Sequence, residues 1–216
     1  MNCLEIVQKR RWFAVLAIAA LMIGAATQAS AQGTPTSDVY LIATFNNNGN
    51  SFNYPQPIYI VNNGSSGGGT RCANIYVLDT IVNMIECCSC PIRANELLIL
   101  SVKDLTSSSI TSVSPKVGTI KIVSSNPGEG TCSATSVLAL RPALRAWMSH
   151  IQIASTFTSV FAKGVSTPAL SVVAFDQSPL SDAESTYLPL ECQWAHYLGS
   201  GKGVCSCPQT AIAGEE

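Results

Sequence analysis

The stretch ECCSCPI, residues Glu86 to Ile92, places three cysteines within four positions. Such a cluster is typical of a metal site, a thiol redox pair or a disulfide framework. Cys87 and Cys90 have the C-x-x-C spacing of thiol oxidoreductases, which normally place the reactive cysteine at a helix N-terminus. Here the preceding residues are rich in strand-forming types, and Pro91 directly follows Cys90. The local sequence therefore favours a strand and argues against a redox site.

The N-terminus indicates the compartment. A basic patch, Lys9 to Arg11, precedes an apolar run from Trp12 to about Ala26, and Ala29–Ser30–Ala31 offers the small residues of a signal peptidase site. This order predicts a secretory signal peptide over residues 1–31, exported by the general route. The apolar run is shorter than the ~20 residues that a transmembrane helix needs. We expect a secreted, extracellular protein, with the periplasm as the alternative location.

Export favours oxidation of the cysteines beyond the leader. Their number is even, and we predict that all are structural disulfide partners without free thiol or metal: Cys72, Cys87, Cys88, Cys90, Cys132, Cys192, Cys205 and Cys207. The alternative is a zinc site that draws on the two C-S-C segments and the histidines. C-x-C spacing differs from the C-x₂₋₄-C spacing of common zinc folds, so we favour disulfides.

Strand geometry predicts part of the pairing. Neighbouring side chains in a strand point to opposite faces, so Cys87 should bond to a different segment from Cys88. The segment VCSCP repeats the two-residue spacing, which predicts a two-rung ladder between the two C-S-C segments. A hairpin turn at Asp79–Thr80 would place Cys72 opposite Cys87 or Cys88. Cys132 and Cys192 would then pair by elimination.

Charge excludes some partners. Removing Lys9, Arg10, Arg11 and Glu5 from 12 basic and 13 acidic residues leaves 9 and 12, a net charge of minus three. Nucleic-acid binding needs a basic surface that neutralises phosphates, so no nucleic-acid partner is expected. The same charge argues against an anionic membrane surface, and no second apolar run is long enough to span a membrane.

Short apolar segments separated by turn formers predict the fold class, a mostly β protein: a disulfide-stapled antiparallel β-sandwich with one short C-terminal helix. The predicted strands are DVYLIATF, IYIVNN, ANIYVLD, IVNMIECC, ELLILSV, GTIKIVSS, LRAWMSHIQIA and LSVVAFD. We divide the chain into a leader (1–31), N-terminal strands with flexible Asn/Gly/Ser-rich loops (32–70), a cysteine-rich β domain (71–208) and a disordered tail (209–216).

A helix signal begins at Ser181, which has Glu184 three residues later in a capping box. Pro189 lies inside the pattern, so we expect the helix to kink or divide near Leu188. Leu188, Cys192 and Ala195 share one face, which would allow Cys192 to attach the helix to the sheet.

Catalytic motifs are missing from the sequence. The segment GSGKG departs from a phosphate-binding loop at two required positions and reads as a glycine turn. His150 and His196 are the available neutral-pH bases, and each is interpreted as a packed or surface histidine. We expect no catalytic residue, no cofactor and no enzyme activity.

Several quoted segments resemble a family. CANIYVLD, ECCSCPI, ELLILSV, GTIKIVSS, LRAWMSHIQ and LGSGKGVCSC together look like a group of uncharacterised cysteine-rich secreted proteins of the Acidobacteria type. The resemblance covers about Arg71 to Pro208 and is carried by the Cys-Cys-x-Cys and Leu-Gly-Ser-Gly-x-Gly-x-Cys-x-Cys patterns. It implies an exported cysteine-rich domain and supplies no activity.

The sequence leads us to expect a non-catalytic structural or binding module at or outside the cell surface. Aromatic residues expected on its surface, Tyr40, Phe45, Phe52 and Tyr54, would contact a glycan or a protein. One alternative is a filament subunit that self-assembles by donating the N-terminal strand, Asp38 to Phe45. Another is a secreted hydrolase with a site assembled from distant residues.

Overall fold

The computed structural model describes residues 39–46, 56–64, 68–136, 139–155, 166–199 and 201–207, of which 150–155 and 166–170 are described by their backbone. The chain divides into two units, Met1–Pro35 and Thr36–Glu216, and every described residue belongs to the second. The predicted leader and the C-terminal tail lie outside the described residues.

Two antiparallel sheets form the domain. The larger has the spatial order β4 (Met84–Ile92), β3 (Arg71–Leu78), β6 (Val117–Ser125), β1 (Tyr40–Asn46) and β9 (Asp176–Ser178). The smaller has the order β5 (Leu97–Ser101), β2 (Pro57–Asn62), β7 (Leu144–Ser155) and β8 (Ser166–Ala174). A 3₁₀ turn, Asp104–Thr106, follows β5, and one α-helix, α1 (Asp182–Leu198), follows β9. The predicted fold class, a mostly β antiparallel sandwich with a C-terminal helix, is confirmed.

The main core lies between the sheets, because alternate residues of each strand point inward. Ile120 and Ile122 of β6 belong to this core, together with Ile58 and Ile60 of β2. A second apolar cluster joins the opposite face of the larger sheet to α1. Every residue of β3 is buried, since this strand is covered on both faces. The described domain therefore has three layers, with the helix and the smaller sheet on opposite sides of the larger sheet.

Helix α1 begins as predicted, because the Ser181 hydroxyl accepts a hydrogen bond from the Glu184 N–H at 3.2 Å. The expected division near Leu188 is wrong: one helix continues through Pro189. An interior proline costs about 3 kcal/mol. Leu188 is buried before it and Cys192 is disulfide-bonded to β4 after it, so contacts with one sheet fix both sides of the proline.

Strand β1 lies inside the larger sheet rather than apart from it. It pairs with β6 over seven positions from Tyr40 to Asn46 and with β9 on its other side. Leu41 and Phe45 are buried in the main core. The filament alternative relied on a strand that is not packed on its own domain, and this premise is wrong.

Candidate functional site: disulfide cluster and exposed apolar surfaces

The predicted two-rung ladder is confirmed. Cys88 bonds to Cys205 and Cys90 bonds to Cys207, with Cα–Cα distances of 5.1 and 5.4 Å. The bonded C-terminal segment lies parallel to β4, where the Cys87 N–H donates to the Gly203 carbonyl at 2.9 Å. The ladder therefore covers one edge of the larger sheet, where unpaired backbone groups would otherwise invite pairing with another chain.

The other two disulfides differ from the expected pairing. Cys72 bonds to Cys132, and Cys87 bonds to Cys192 on α1. The predictions that Cys72 pairs with Cys87 or Cys88 and that Cys132 pairs with Cys192 are therefore wrong. The prediction that Cys87 and Cys88 clamp opposite faces is confirmed, because Cys87 holds the helix layer and Cys88 belongs to the core between the sheets.

The hairpin register explains the error. The β3–β4 turn extends from Asp79 to Asn83, where the Asp79 N–H donates to the Asn83 carbonyl at 3.0 Å. This turn is longer than the turn assumed from the sequence, and a register shift follows Val77. As a result Cys72 lies opposite Pro91 rather than opposite Cys87 or Cys88.

Two groups of side chains bring metal-binding atoms within 4.8 Å of one another: Cys87, Cys192 and His196, and Cys88, Cys90 and Cys207. In both groups the sulfur atoms belong to disulfides. Zinc binds thiolates, and disulfide sulfur lacks that negative charge. His196 Nε2 lies 3.7 Å from Cys192 Sγ at the exposed surface of α1. His150 lies on β7, and its side chain is outside the described atoms.

Glu86 is an acidic side chain buried inside the described domain. It lies on β4 beside Cys87 and is fully buried. Neither carboxyl oxygen makes a well-formed hydrogen bond in the described part of the chain, although the Ser108 backbone lies close enough to act on the carboxyl group. Burial raises the pKa of Glu86 to about 8, and the backbone of Ser108 opposes this only in part. The side chain therefore carries a proton at neutral pH.

Glu184, by contrast, attaches α1 to the sheet through an ion pair and hydrogen bonds. Its Oε1 accepts hydrogen bonds from Lys121 Nζ at 2.7 Å and from the Tyr40 hydroxyl at 2.8 Å. Burial acts to raise the pKa of Glu184, but these contacts and the Ser181 hydroxyl outweigh it and lower the pKa. Burial, followed by the contact with Glu184, raises the pKa of Tyr40. These groups therefore hold the helix in place.

The aromatic residues expected on the surface are placed differently by the structure. Tyr40 and Phe45 are 3% and 1% exposed, so this prediction is wrong for both. Tyr40 belongs to the helix layer, and Phe45 packs over Gly118 on the neighbouring strand. Phe52 and Tyr54 lie outside the described residues.

A different set of aromatic residues covers the outer face of the smaller sheet. We call this surface the aromatic sheet face and define it by Tyr59, Leu97, Ile99, Trp147 and Val172. Tyr59 pairs with Ile99 on one side and with Trp147 on the other, and the two aromatic rings stack with centroids 5.5 Å apart. Ile99 is 51% exposed and Val172 is 63% exposed. Trp147 pairs with Ala174 on β8, so an apolar row runs from β5 to β8, and Val172 lies two residues from it on the same face.

The sequence of β2 contains a pattern that indicates this apolar face. A strand with one solvated face alternates apolar and polar residues. In β2 the sequence is apolar at both sets of positions, since Ile58 and Ile60 enter the core while Tyr59 and Val61 point away from it. A strand that is apolar on both faces predicts that the face outside the core is also covered.

Helix α1 and the β3–β4 turn form the other apolar surface, here called the helix–hairpin surface: Val82, Tyr187, Leu190, Trp194 and Tyr197. The four helical members are spaced by three, four and three residues, so they form one stripe opposite the buried face. The Tyr187 hydroxyl donates to the Val82 carbonyl at 3.3 Å, which joins the turn to the helix.

No helix among the described residues is long and apolar enough to cross a bilayer. Comparison with protein-family models, curated proteins and solved structures finds no match to this chain.

Proposed function

We propose that the protein is an exported, non-catalytic binding module that uses the aromatic sheet face to bind a protein or glycan at the cell surface. The observation that carries this proposal is the half-buried, stacked Tyr59–Trp147 pair with its exposed apolar neighbours. Antiparallel sheets normally turn a polar face to water, and contiguous exposed apolar patches mark interaction sites.

The shape of the face supports this role. Its central pair lies on β2 and β7, the two inner strands of the smaller sheet, so it is held by hydrogen-bonded strands on both sides. Aromatic residues at the centre of a rigid surface give large contact area for little loss of conformational entropy. A binding surface on strands rather than on loops is already in its bound shape.

The export part of the proposal rests on the leader pattern and on the disulfides. Four described disulfides use all eight cysteines beyond the leader. Disulfides persist in oxidising compartments. The placement of two carboxyl groups with shifted pKa values also supports a non-catalytic role, because Glu86 is enclosed in the core and Glu184 is engaged in structural contacts.

Binding is tested with the fluorescently labelled, oxidised protein and isolated cell envelopes. The double variant Tyr59→Ala/Trp147→Ala should bind about thirtyfold more weakly or worse, since truncation of a hot-spot aromatic residue costs about 2 kcal/mol or more. Val113→Ala is the matched control, because Val113 is equally apolar and 68% exposed outside this face. Equal binding by the double variant and the wild type would refute the proposed surface.

Export is tested separately by mass spectrometry of the protein recovered outside the cytoplasm. We expect an N-terminus at Gln32 and eight alkylated cysteines only after reduction and unfolding. An uncleaved leader, or two or more thiols that react in the native protein, would contradict this part of the proposal.

A further inference from the structure

The β3–β4 turn holds two exposed apolar side chains in a fixed arrangement. Ile81 and Val82 are 74% and 57% exposed. The Asp79 carboxylate accepts hydrogen bonds from the backbone N–H groups of Ile81 and Asn83, each at 2.9 Å. Val82 has φ +70°, a left-handed conformation that is unfavourable for a β-branched residue. An apolar residue kept exposed at the expense of backbone strain indicates a surface used for contact.

The helix continues this apolar surface. Leu190, Trp194 and Tyr197 line an open recess of about 520 Å³ together with Gln193. The Gln193 amide donates to the Thr135 carbonyl at 2.9 Å, which fixes one wall. The Trp194 and Tyr197 rings meet edge to face with centroids 6.1 Å apart. The recess is therefore preformed, with aromatic walls suited to an apolar side chain.

Charge limits what can occupy this surface. The Tyr187 side chain lies between the turn and the recess. Burial raises its pKa, and the negative charges of Glu191 and Asp79 raise it further. The helix–hairpin surface therefore has negative charge from Glu191 and Asp79 near its centre. An anionic bilayer would be repelled by these charges, whereas an apolar segment that carries ammonium or guanidinium groups would be attracted.

We infer that the helix–hairpin surface binds an amphipathic, positively charged segment of a partner polypeptide. Its apolar side chains enter the recess at Trp194 and contact Val82, and its basic groups lie against Asp79 and Glu191. An exposed stripe with three- and four-residue spacing matches the repeat of a helical partner. The aromatic sheet face is on the other side of the domain, so this inference does not depend on the proposed function.

The probe is a synthetic peptide of about 18 residues, roughly five helical turns, with leucine on one face and lysine on the other. The comparison peptide has glutamate in place of lysine. Binding to the oxidised full-length protein is followed by calorimetry at low and moderate salt. We expect the lysine peptide to bind, more weakly as salt rises, and the glutamate peptide to bind at least tenfold more weakly.

Variants locate the site. Trp194→Ala should weaken lysine-peptide binding about tenfold or more. Glu191→Gln should weaken it several-fold and reduce its salt dependence. Val82→Gly should raise the midpoint of thermal unfolding, because glycine accepts the left-handed backbone, and yet weaken binding. Trp147→Ala, on the aromatic sheet face, and Val113→Ala should leave lysine-peptide binding unchanged.

Other outcomes overturn the inference. Equal binding of the two peptides, or wild-type affinity of Trp194→Ala, would show that this surface does not select a basic partner. Partition into phosphatidylcholine or phosphatidylglycerol vesicles with loss on Trp194→Ala would identify a lipid-binding surface instead. Self-association of the protein that Trp194→Ala abolishes would identify a second copy as the occupant.

Discussion

Replacing Glu86 by glutamine tests whether one buried carboxyl group governs the pH dependence of stability. The group is fully buried and makes no well-formed hydrogen bond with the described residues, so the weak contact with the Ser108 backbone offsets burial only in part. Burial raises its pKa from 4.5 to about 8. Near neutral pH the folded protein therefore holds a proton on this carboxyl group, and the unfolded chain does not.

The sign and size of the effect follow from linkage. Between the unfolded and the folded pKa, the unfolded chain binds one proton fewer, so the free energy of unfolding falls by about 1.4 kcal/mol per pH unit. Across the window from 4.5 to about 8 the loss is on the order of 4 kcal/mol. Glutamine has nearly the shape of the protonated acid and does not titrate. Glu86→Gln should therefore match the wild type near the acid end and exceed its stability at the basic end.

The assay is urea unfolding of the oxidised protein, followed by tryptophan fluorescence at intervals across that pH window. Subtracting the wild-type curve from the variant curve cancels the groups that both proteins share. Glu129→Gln, at an exposed glutamate, is the control and should parallel the wild type. Parallel curves for Glu86→Gln and the wild type would refute the reasoning.

Three further predictions use the same unfolding assay. Gly118→Ala should destabilise the fold by about 2–3 kcal/mol, since the alanine Cβ would lie 2.3 Å from a backbone carbonyl oxygen of β3. Wild-type stability of this variant would contradict the observed packing. Cys87→Ala/Cys192→Ala should lower the free energy of unfolding by about 3 kcal/mol, because the adjacent ladder already reduces the loop that this disulfide closes to about 15 residues. A loss near the ~4.7 kcal/mol expected for a 100-residue loop would show that the ladder does not restrict the unfolded chain. Lys121→Met should lower the free energy of unfolding by about 1 kcal/mol at neutral pH. The loss should disappear once acid protonates Glu184, because a carboxylate with a lowered pKa stabilises the fold only while it is ionised. A loss that persists in acid would show that Lys121 acts through packing.

Local patterns in the sequence were sufficient for the strands and for part of the disulfide cluster. Alternation and β-branched residues marked the strands, and the two-residue spacing of Cys88 and Cys90 matched that of Cys205 and Cys207. These features depend on neighbours in the chain, so they are visible without a structure. The same holds for the cap at Ser181.

The errors concern contacts between distant segments. The partner of Cys72 depends on the length of the β3–β4 turn and on the register shift after Val77, neither of which has a strong signal in the sequence. Phe45 was expected at the surface, but its position depends on a glycine opposite it on β6. The continuity of α1 through Pro189 likewise depends on the sheet beneath the helix. Tertiary packing decided each of these cases.

The ladder also determines how the domain would respond to a pulling force. Tension applied to the chain on either side of the domain would pass from β4 through Cys88–Cys205 and Cys90–Cys207, each of which bonds residues 117 apart. The strands from β5 onward and helix α1 lie within the closed loop, so they would bear no load. Among the described elements, stretching could lengthen only β1 to β4. The domain would then behave as a short, nearly inextensible connection between whatever its two ends hold.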